Sequence, residues 1–315
     1  MKNDRLLPQL VRRLASALLV TWLAISGVFL LVHGVGDPAV ATLGGKASPA
    51  DLAAFRERHG LDQPLWKQYG QYLGGLLQGD LGSSYRDGRP VTEVIGQRLP
   101  RTLLLGGLAV VFELGIGLGL GVLAALWKGR WPDHLAMGLA YLGVSLPTFV
   151  TGLILLYWVG FRFGALPLGG YGVGLADQLR HAVLPALTLA VFGAATYARL
   201  IRGELLDVLG RDHVRFAQAR GLGASRIVLV HGLRPALLPI VALVGLQMGA
   251  LVSGAIITEQ VFAWPGMGRL AYESLHTLDL PIVLGIVVVS ALVVQGGNLV
   301  ADLSLGALDP RLRRT

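Results

Sequence analysis

Residues 212–239 read Asp-His-Val-Arg-Phe-Ala-Gln-Ala-Arg-Gly-Leu-Gly-Ala-Ser-Arg, then a short apolar run, then Arg-Pro-Ala-Leu-Leu-Pro. The stretch is basic, rich in small residues, and set between two apolar spans. It holds too few apolar residues to build a domain of its own. Asp212–Gly223 has a helix-compatible pattern that ends at Gly221 and Gly223, and Ala224-Ser225-Arg226 reads as a new start. The predicted shape is a short helix, a turn, and an element that re-enters the membrane at Pro235 and Pro239. An ordinary basic connector is the simpler reading. Orientation needs only arginines, however, and this loop also mixes small residues with glycine breaks, which suits insertion into a cleft on another protein.

Working outward, the chain has 315 residues, 53% of them apolar, with a mean hydropathy of +0.61. Long uncharged runs of this kind belong to membrane spans. The net charge of +8 and pI near 10.1 are explained by the positive-inside bias of a membrane protein, not by nucleic-acid binding. With no cysteine, disulfides, zinc-thiolate sites, iron–sulfur ligation and thiol catalysis are excluded.

Six runs are near the ~20 residues that a bilayer-crossing helix needs: Leu14–Val32, Leu103–Trp127, Leu135–Val159, Ala182–Ala198, Ala236–Thr258 and Leu280–Val300. The fourth is short and contains Pro185. Between the fourth and fifth runs lie Arg199, Arg202, Arg211, Arg215, Arg220, Arg226 and Arg234. Lys2, Arg5, Arg12 and Arg13, Lys128 and Arg130, and Arg311, Arg313 and Arg314 fall on the same side, against only Arg162, Arg180 and Arg269 in the opposite short segments. This asymmetry predicts that both termini are cytoplasmic. The first run is expected to be a retained helix. A secretory signal, with Ala39-Val40-Ala41 downstream, is the alternative, but its apolar core is ordinarily only ~7–15 residues.

In the long Val35–Arg101 segment, Ser48-Pro49-Ala50-Asp51 predicts a helix start with Ser48 as cap. Leu65, Trp66, Tyr69, Tyr72, Leu73, Leu76 and Leu77 form a second amphipathic stretch. It reads as a lid on the bundle, with a membrane surface or an external partner as alternatives.

Few residues promise chemistry. There is no phosphate-binding G-x-x-x-x-G-K-[ST] loop, no H-E-x-x-H and no G-x-S-x-G, and no two histidines stand at i,i+4. No catalytic residue and no metal ligand is assigned. Gly115, Gly117, Gly119 and Gly121 form overlapping G-x-x-x-G pairs that favour close helix packing. Glu113, in the same run, is either a pathway group or a hydrogen-bonded packing residue, since a mid-span carboxylate must face protein or water. Pro147 removes a helix hydrogen bond and is expected to bend the third run, as a gating hinge or a static kink. Gln247 and Asn298 suit interhelical hydrogen bonds. Trp264-Pro265-Gly266-Met267-Gly268 reads as an interfacial turn with an aromatic anchor.

Ala217-Gln218-Ala219-Arg220-Gly221-Leu222-Gly223, with Leu238-Pro239 downstream, resembles the ATPase-binding loop of ABC importer permeases of the dipeptide/oligopeptide/nickel family. Gly36-Asp37-Pro38-Ala39, Gly60-Leu61-Asp62-Gln63-Pro64-Leu65, Gly79-Asp80-Leu81-Gly82, Arg98-Leu99-Pro100-Arg101-Thr102, Leu184-Pro185-Ala186-Leu187-Thr188, Phe262–Gly268 and Asp309-Pro310-Arg311 extend the resemblance over nearly the whole chain.

The resemblance implies an all-α membrane protein with six transmembrane helices and the type I ABC importer permease fold. It divides the chain into a tail and first helix at 1–34, an extracytoplasmic segment at 35–96, a transmembrane domain at 97–303 with its coupling loop at 199–235, and a cytoplasmic tail at 304–315. The function it implies is ATP-driven import, of di- or oligopeptides by default, with nickel or glutathione as alternatives. A gradient-driven secondary transporter is the alternative class, with Glu113 as its support. Implied partners are a second homologous permease subunit, one or two ABC ATPase subunits, an extracytoplasmic solute-binding protein and the lipid bilayer of a prokaryotic inner membrane. The chain would be no enzyme and hold no cofactor, ATP being bound by the partner. Family loops often carry an acidic residue before paired alanines. Here Ala217 and Gln218 stand instead, so no single acidic contact to the motor is assigned.

Overall fold

The structure, a computed structural model, describes residues 6–223, 226–237, 239–240, 243–244 and 255–308, with the backbone alone at 6–14, 35 and 300–308. Among the described residues the architecture is helical, and the only β pairing is an isolated bridge between Ser83 and Pro90. The helices are α1 (Leu6–Val35), α2 (Pro38–Leu43), α3 (Pro49–Arg58), α4 (Leu65–Leu77), α5 (Val91–Leu126), α6 (Trp131–Ser145), α7 (Thr148–Leu155), α8 (Leu175–Leu209), α9 (Asp212–Ala219), α10 (Arg234–Ala236), α11 (Met267–His276) and α12 (Leu280–Leu308). Wider π-helical turns extend α7 over Leu156–Arg162 and precede α10 over Ile227–Leu233.

Four of these helices hold a stretch long and apolar enough to span a bilayer: Ala15–Gly34, Val91–Leu126, Leu175–Leu209 and Leu280–Leu299. A fifth span is broken. Trp131–Ser145 and Thr148–Arg162 meet at 111°, at the point where Pro147 was expected to bend the run. Proline cannot donate the next helix bond, and it disfavours helical backbone at the residue before it, so α6 stops at Ser145 and Leu146 is extended (ψ 129°). The predicted Ala236–Thr258 span lies mostly outside the described residues. The predicted fourth run is the middle of a 35-residue helix that absorbs Pro185 in its interior. Reading apolar residues alone missed its polar ends, which fold as continuations of an already nucleated helix.

Two compact units divide the chain, Met1–Pro100 with Arg269–Gln295, and Arg101–Gly268 with Gly296–Thr315. In the first, the predicted start of α3 forms as a full capping box. Ser48 Oγ accepts from Asp51 N at 3.2 Å, and Asp51 Oδ2 accepts from Ser48 N at 3.3 Å. The amphipathic helix α4 lies along α1, where Ser26 Oγ and Tyr69 OH are 2.5 Å apart and His33 Nε2 is 3.1 Å from Gln68 Oε1. Buried Asp279 accepts from Ser84 Oγ (2.5 Å) and Tyr85 N (3.0 Å), joining the loop before α5 to the start of α12.

The second unit is organised around α8, which buries one face along its length. The glycine run of α5 splits into two faces. A Cβ at Gly117 would stand 2.7 Å from that of Tyr197, and one at Gly121 would stand 2.7 Å from Ala198 O, whereas Gly115 and Gly119 face open space. Only the Gly117/Gly121 pair brings α5 against α8, where backbone contact replaces side chains. One expectation is corrected here. Trp264 is not an interfacial anchor but is fully buried beside Leu105, Ala109, Ala182 and Ala186. Its Nε1 donates to Arg101 O at 3.2 Å and its ring meets Tyr171 edge-on at 5.0 Å. The polar edge of the indole finds a backbone acceptor, which makes burial affordable.

Candidate functional site

The loop that follows α8 folds as a short helix with one face in and one face out. Val214 and Ala217, three apart, join Ala125, Leu205, Val208, Ile227 and Ala236 in a single apolar cluster. Asp212 lies in the first turn, where a negative charge complements the helix dipole. Termination is a complete Schellman motif. Gly221 N donates to Gln218 O (2.9 Å), Leu222 N donates to Ala217 O (3.3 Å), and Leu222 packs on the Ala217 cluster. Gly221 sits at φ +73°, in the left-handed region that glycine adopts without a steric penalty. Gly223 is not in that region. Its carbonyl accepts from Ile227 N at 3.1 Å and so opens the following helical turns.

The outward face carries Phe216, 66% exposed, with the Arg220 guanidinium 6.0 Å from its ring centre. Gln218, Ala219 and Arg220 are exposed beside it. An aromatic ring turned to solvent at the tip of an otherwise well-packed helix is an interaction surface in waiting, as aromatics and arginine dominate protein interfaces. Of the loop residues singled out in the sequence, Ala217 points inward and belongs to the core. Phe216, which the sequence reading passed over, is its outward counterpart, and the three-residue spacing of Val214 and Ala217 was the available signal.

The apolar cluster couples α9 to the bundle, and an ion pair stiffens the same end. Arg202 on α8 donates from Nε and Nη2 to the two oxygens of Asp133 on α6, both at 2.7 Å, and Gly129 N donates to the same carboxylate at 2.9 Å. Such a two-point pair fixes orientation as well as distance.

Glu113 and Pro147 belong elsewhere. Glu113 is 4% exposed in the α5–α8 seam, its carboxyl laid against Gly193, where even a methyl group would collide with it. It stands about 18 Å along α5 from Ala125, at ~1.5 Å per residue. Exposed Pro147 marks the α6–α7 break, and Gln247 lies outside the described residues. A buried polar knot not foreseen in the sequence closes the other end of the unit. Glu259, fully buried, accepts from Thr102 Oγ1 (2.8 Å), which itself accepts from Met267 N (2.7 Å). Among the described residues no three His, Asp or Glu side chains gather as a metal site.

A spanning helical bundle that presents a capped amphipathic helix at one end has the architecture of a type I importer permease. The chain resembles the inward-facing MetNI methionine ABC transporter with a TM-score of 0.58, over 69% of this chain and 96% of that one, at 17% identity, a likeness of fold. It belongs to the family described as binding-protein-dependent transport system inner membrane component, matched over residues 117–314, with the family's N-terminal part matched over residues 6–106. Among its relatives is the glutathione transport system permease protein GsiC of Escherichia coli O6:H1, 38% identical over 309 residues, 98% of this chain and 99% of the relative. GsiC of Salmonella paratyphi A is 40% identical over 287 residues, 91% and 92% of the two chains. The protein is therefore a multi-pass permease subunit of an ABC importer.

Proposed function

We propose that this permease imports small peptides, glutathione among them, as one half of a two-permease pore driven by separate ABC ATPase subunits and fed by an extracytoplasmic solute-binding protein. The near end-to-end similarity to GsiC carries the substrate reading, because glutathione is itself a tripeptide and falls within the peptide class read from the sequence. Nickel chelates remain the alternative substrate. Both termini and α9 lie on the cytoplasmic side in this reading, in line with the arginine distribution.

In the proposed cycle, α9 seats in a groove of the ATPase with Phe216 as its anchor and Gln218, Ala219 and Arg220 at the rim. ATP-driven closure moves α9, and the Val214–Ala217 cluster and the Arg202–Asp133 pair pass the motion to α8 and α6 as a lever. A displacement of this kind shifts a two-state bundle only because the packed end has little slack. Glu113 is a packing residue of the seam in this proposal. Glu113→Gln is then expected to leave uptake within about twofold, and a loss of uptake with assembly intact would assign it to the pathway.

The substrate test is uptake of radiolabelled glutathione by proteoliposomes holding the complete complex and its binding protein, with trialanine and Ni²⁺ as competitors. Accumulation of glutathione, reduced by trialanine and not by Ni²⁺, is the expected result. Accumulation of nickel alone would overturn the substrate reading.

A further inference from the structure

The Arg202–Asp133 pair also forms one wall of a cavity between α6 and α8. Its volume is about 300 Å³, and its lining includes His134, Met137, Tyr141 and Arg199. Asp133 is committed to Arg202, and no second carboxylate lines the space. The charge left over is that of Arg199, whose guanidinium lies 5.8 Å from the Tyr141 ring centre, with exposed His134 beside it. The cavity therefore carries a net cation with a planar donor fork. An arginine fork matches the oxygens of phosphate better than a point charge does.

The surroundings indicate where such a phosphate comes from. On the exposed face of α6 that continues round the helix from the cavity-lining His134 and Tyr141, Trp131, Leu135, Leu139 and Leu142 are 73%, 55%, 51% and 60% exposed. Apolar side chains this exposed on a spanning helix face acyl chains. At the same end, Arg130 lies 5.8 Å from the ring centre of Trp127, next to Lys128, which is the mix of aromatic and basic residues that settles at headgroup depth. The cation site thus opens from an acyl-facing surface at the level of the lipid phosphates.

We propose that this cavity binds the headgroup phosphate of an anionic phospholipid. Arg199 and His134 hold the phosphate, the Asp133–Arg202 pair forms the rigid back wall, and the acyl chains run down the leucine face of α6. The lipid would staple α6 to α8 near the end that bears α9. The site needs only that these helices span a bilayer, so it stands or falls independently of the transported substrate.

The test uses the importer purified with its partner subunits and placed in nanodiscs of equal phosphatidylglycerol and phosphatidylcholine. Lipids retained after mild detergent stripping are counted by native mass spectrometry. Phosphatidylglycerol should be retained selectively. Arg199→Gln should lower its retention about fivefold, the equivalent of roughly 1 kcal/mol for one arginine near a charged membrane surface, and leave phosphatidylcholine unchanged. Arg199→Lys should retain an intermediate amount, and His134→Gln, at an exposed position, serves if Arg199→Gln fails to assemble. Equal retention of both lipids in the native protein, or no effect of either variant, would overturn the proposal. So would displacement of phosphatidylglycerol by millimolar inorganic phosphate, which would mark a free-anion site. Loss of the second permease from Arg199→Gln with lipid unchanged would overturn it as well, by marking a subunit contact.

Discussion

The α5–α8 seam and the α9 loop are both glycine-marked, yet their glycines serve opposite ends. At Gly117, Gly121 and Gly193 the missing side chain is space already filled by a neighbour: Tyr197 and Ala194, Ala198 and Ile201, and the Glu113 carboxyl. At Gly221 nothing lies within 4 Å of an added Cβ, and the glycine is there for its backbone angle. The seam is thus closed against change, whereas the loop holds a fixed shape and leaves its outer face to be covered. A transporter needs both, a bundle that moves as a body and a handle by which it is moved.

The largest effect expected is at the seam. Gly121→Val puts a branched side chain where a single Cβ already stands 2.7 Å from Ala198 O and 2.8 Å from the Ile201 Cβ. Overpacking of this sort costs about 1–3 kcal/mol or more, so thermal unfolding of the detergent-solubilised protein should shift sharply downward. Gly119→Val, two residues away and facing open space, is the control. Equal shifts in the two variants would break the distinction between the two faces of α5.

Next comes the handle. Gly221→Pro cannot adopt φ +73° and removes the N–H that bonds Gln218 O, so uptake should fall at least tenfold, with membrane insertion intact. Gly221→Ala keeps the donor and bears only the ~1–2 kcal/mol of a left-handed non-glycine residue, giving a partial loss. In the sequence Gly221 and Gly223 both mark the end of the helix, so Gly223→Pro is the comparison. The structure ranks it below Gly221→Pro, because Gly223 lies outside the left-handed region. Normal uptake by Gly221→Pro in an assembled complex would contradict the lever.

The smallest effect lies outside both regions and calibrates them. His59 is sandwiched between Phe55 and Tyr85, with ring centres at 4.4 and 4.7 Å. Burial, helped by Arg58 and opposed by Asp279, holds its pKa below the usual 6.5. Burial likewise pushes neighbouring Tyr85 up to about 12, with the Asp279 charge assisting. The unfolded segment therefore binds a proton first as pH falls. The stability His59 contributes is present above about 6.5 and is lost below it, toward the lower folded value. The protection factors of amides 55–59, taken relative to the intrinsic exchange rate at each pH, should fall modestly from pH 7 to pH 5, and His59→Gln should flatten that change. The seam amides should show no such trend.

How much of this was legible in advance follows from which forces are local. The capping box at Ser48, the break at Pro147 and the end of α9 at Gly221 were readable because each is set by a few adjacent residues. Gly115, Gly117, Gly119 and Gly121 of α5 announced a close packing but not which pair makes it, since that depends on the rotation of α5 against α8. Trp264 was misread as interfacial because its acceptor, Arg101 O, is 163 residues away. The Asp133–Arg202 and Thr102–Glu259 pairs were hidden for the same reason. On α9 the motif drew attention to Ala217, while the side chain left outside is its neighbour, Phe216.

The most direct test exploits the absence of cysteine from the sequence. With Phe216→Cys on this chain and single cysteines along the groove of the ATPase, short cross-linkers applied to the assembled importer should join the two proteins through position 216. The yield should change on adding ATP. Position 214, replaced in parallel as Val214→Cys, should remain unreactive because its side chain is buried. An intact complex that cross-links nowhere at 216, or equally at 214 and 216, would contradict the claim that the outer face of α9 is the handle gripped by the motor.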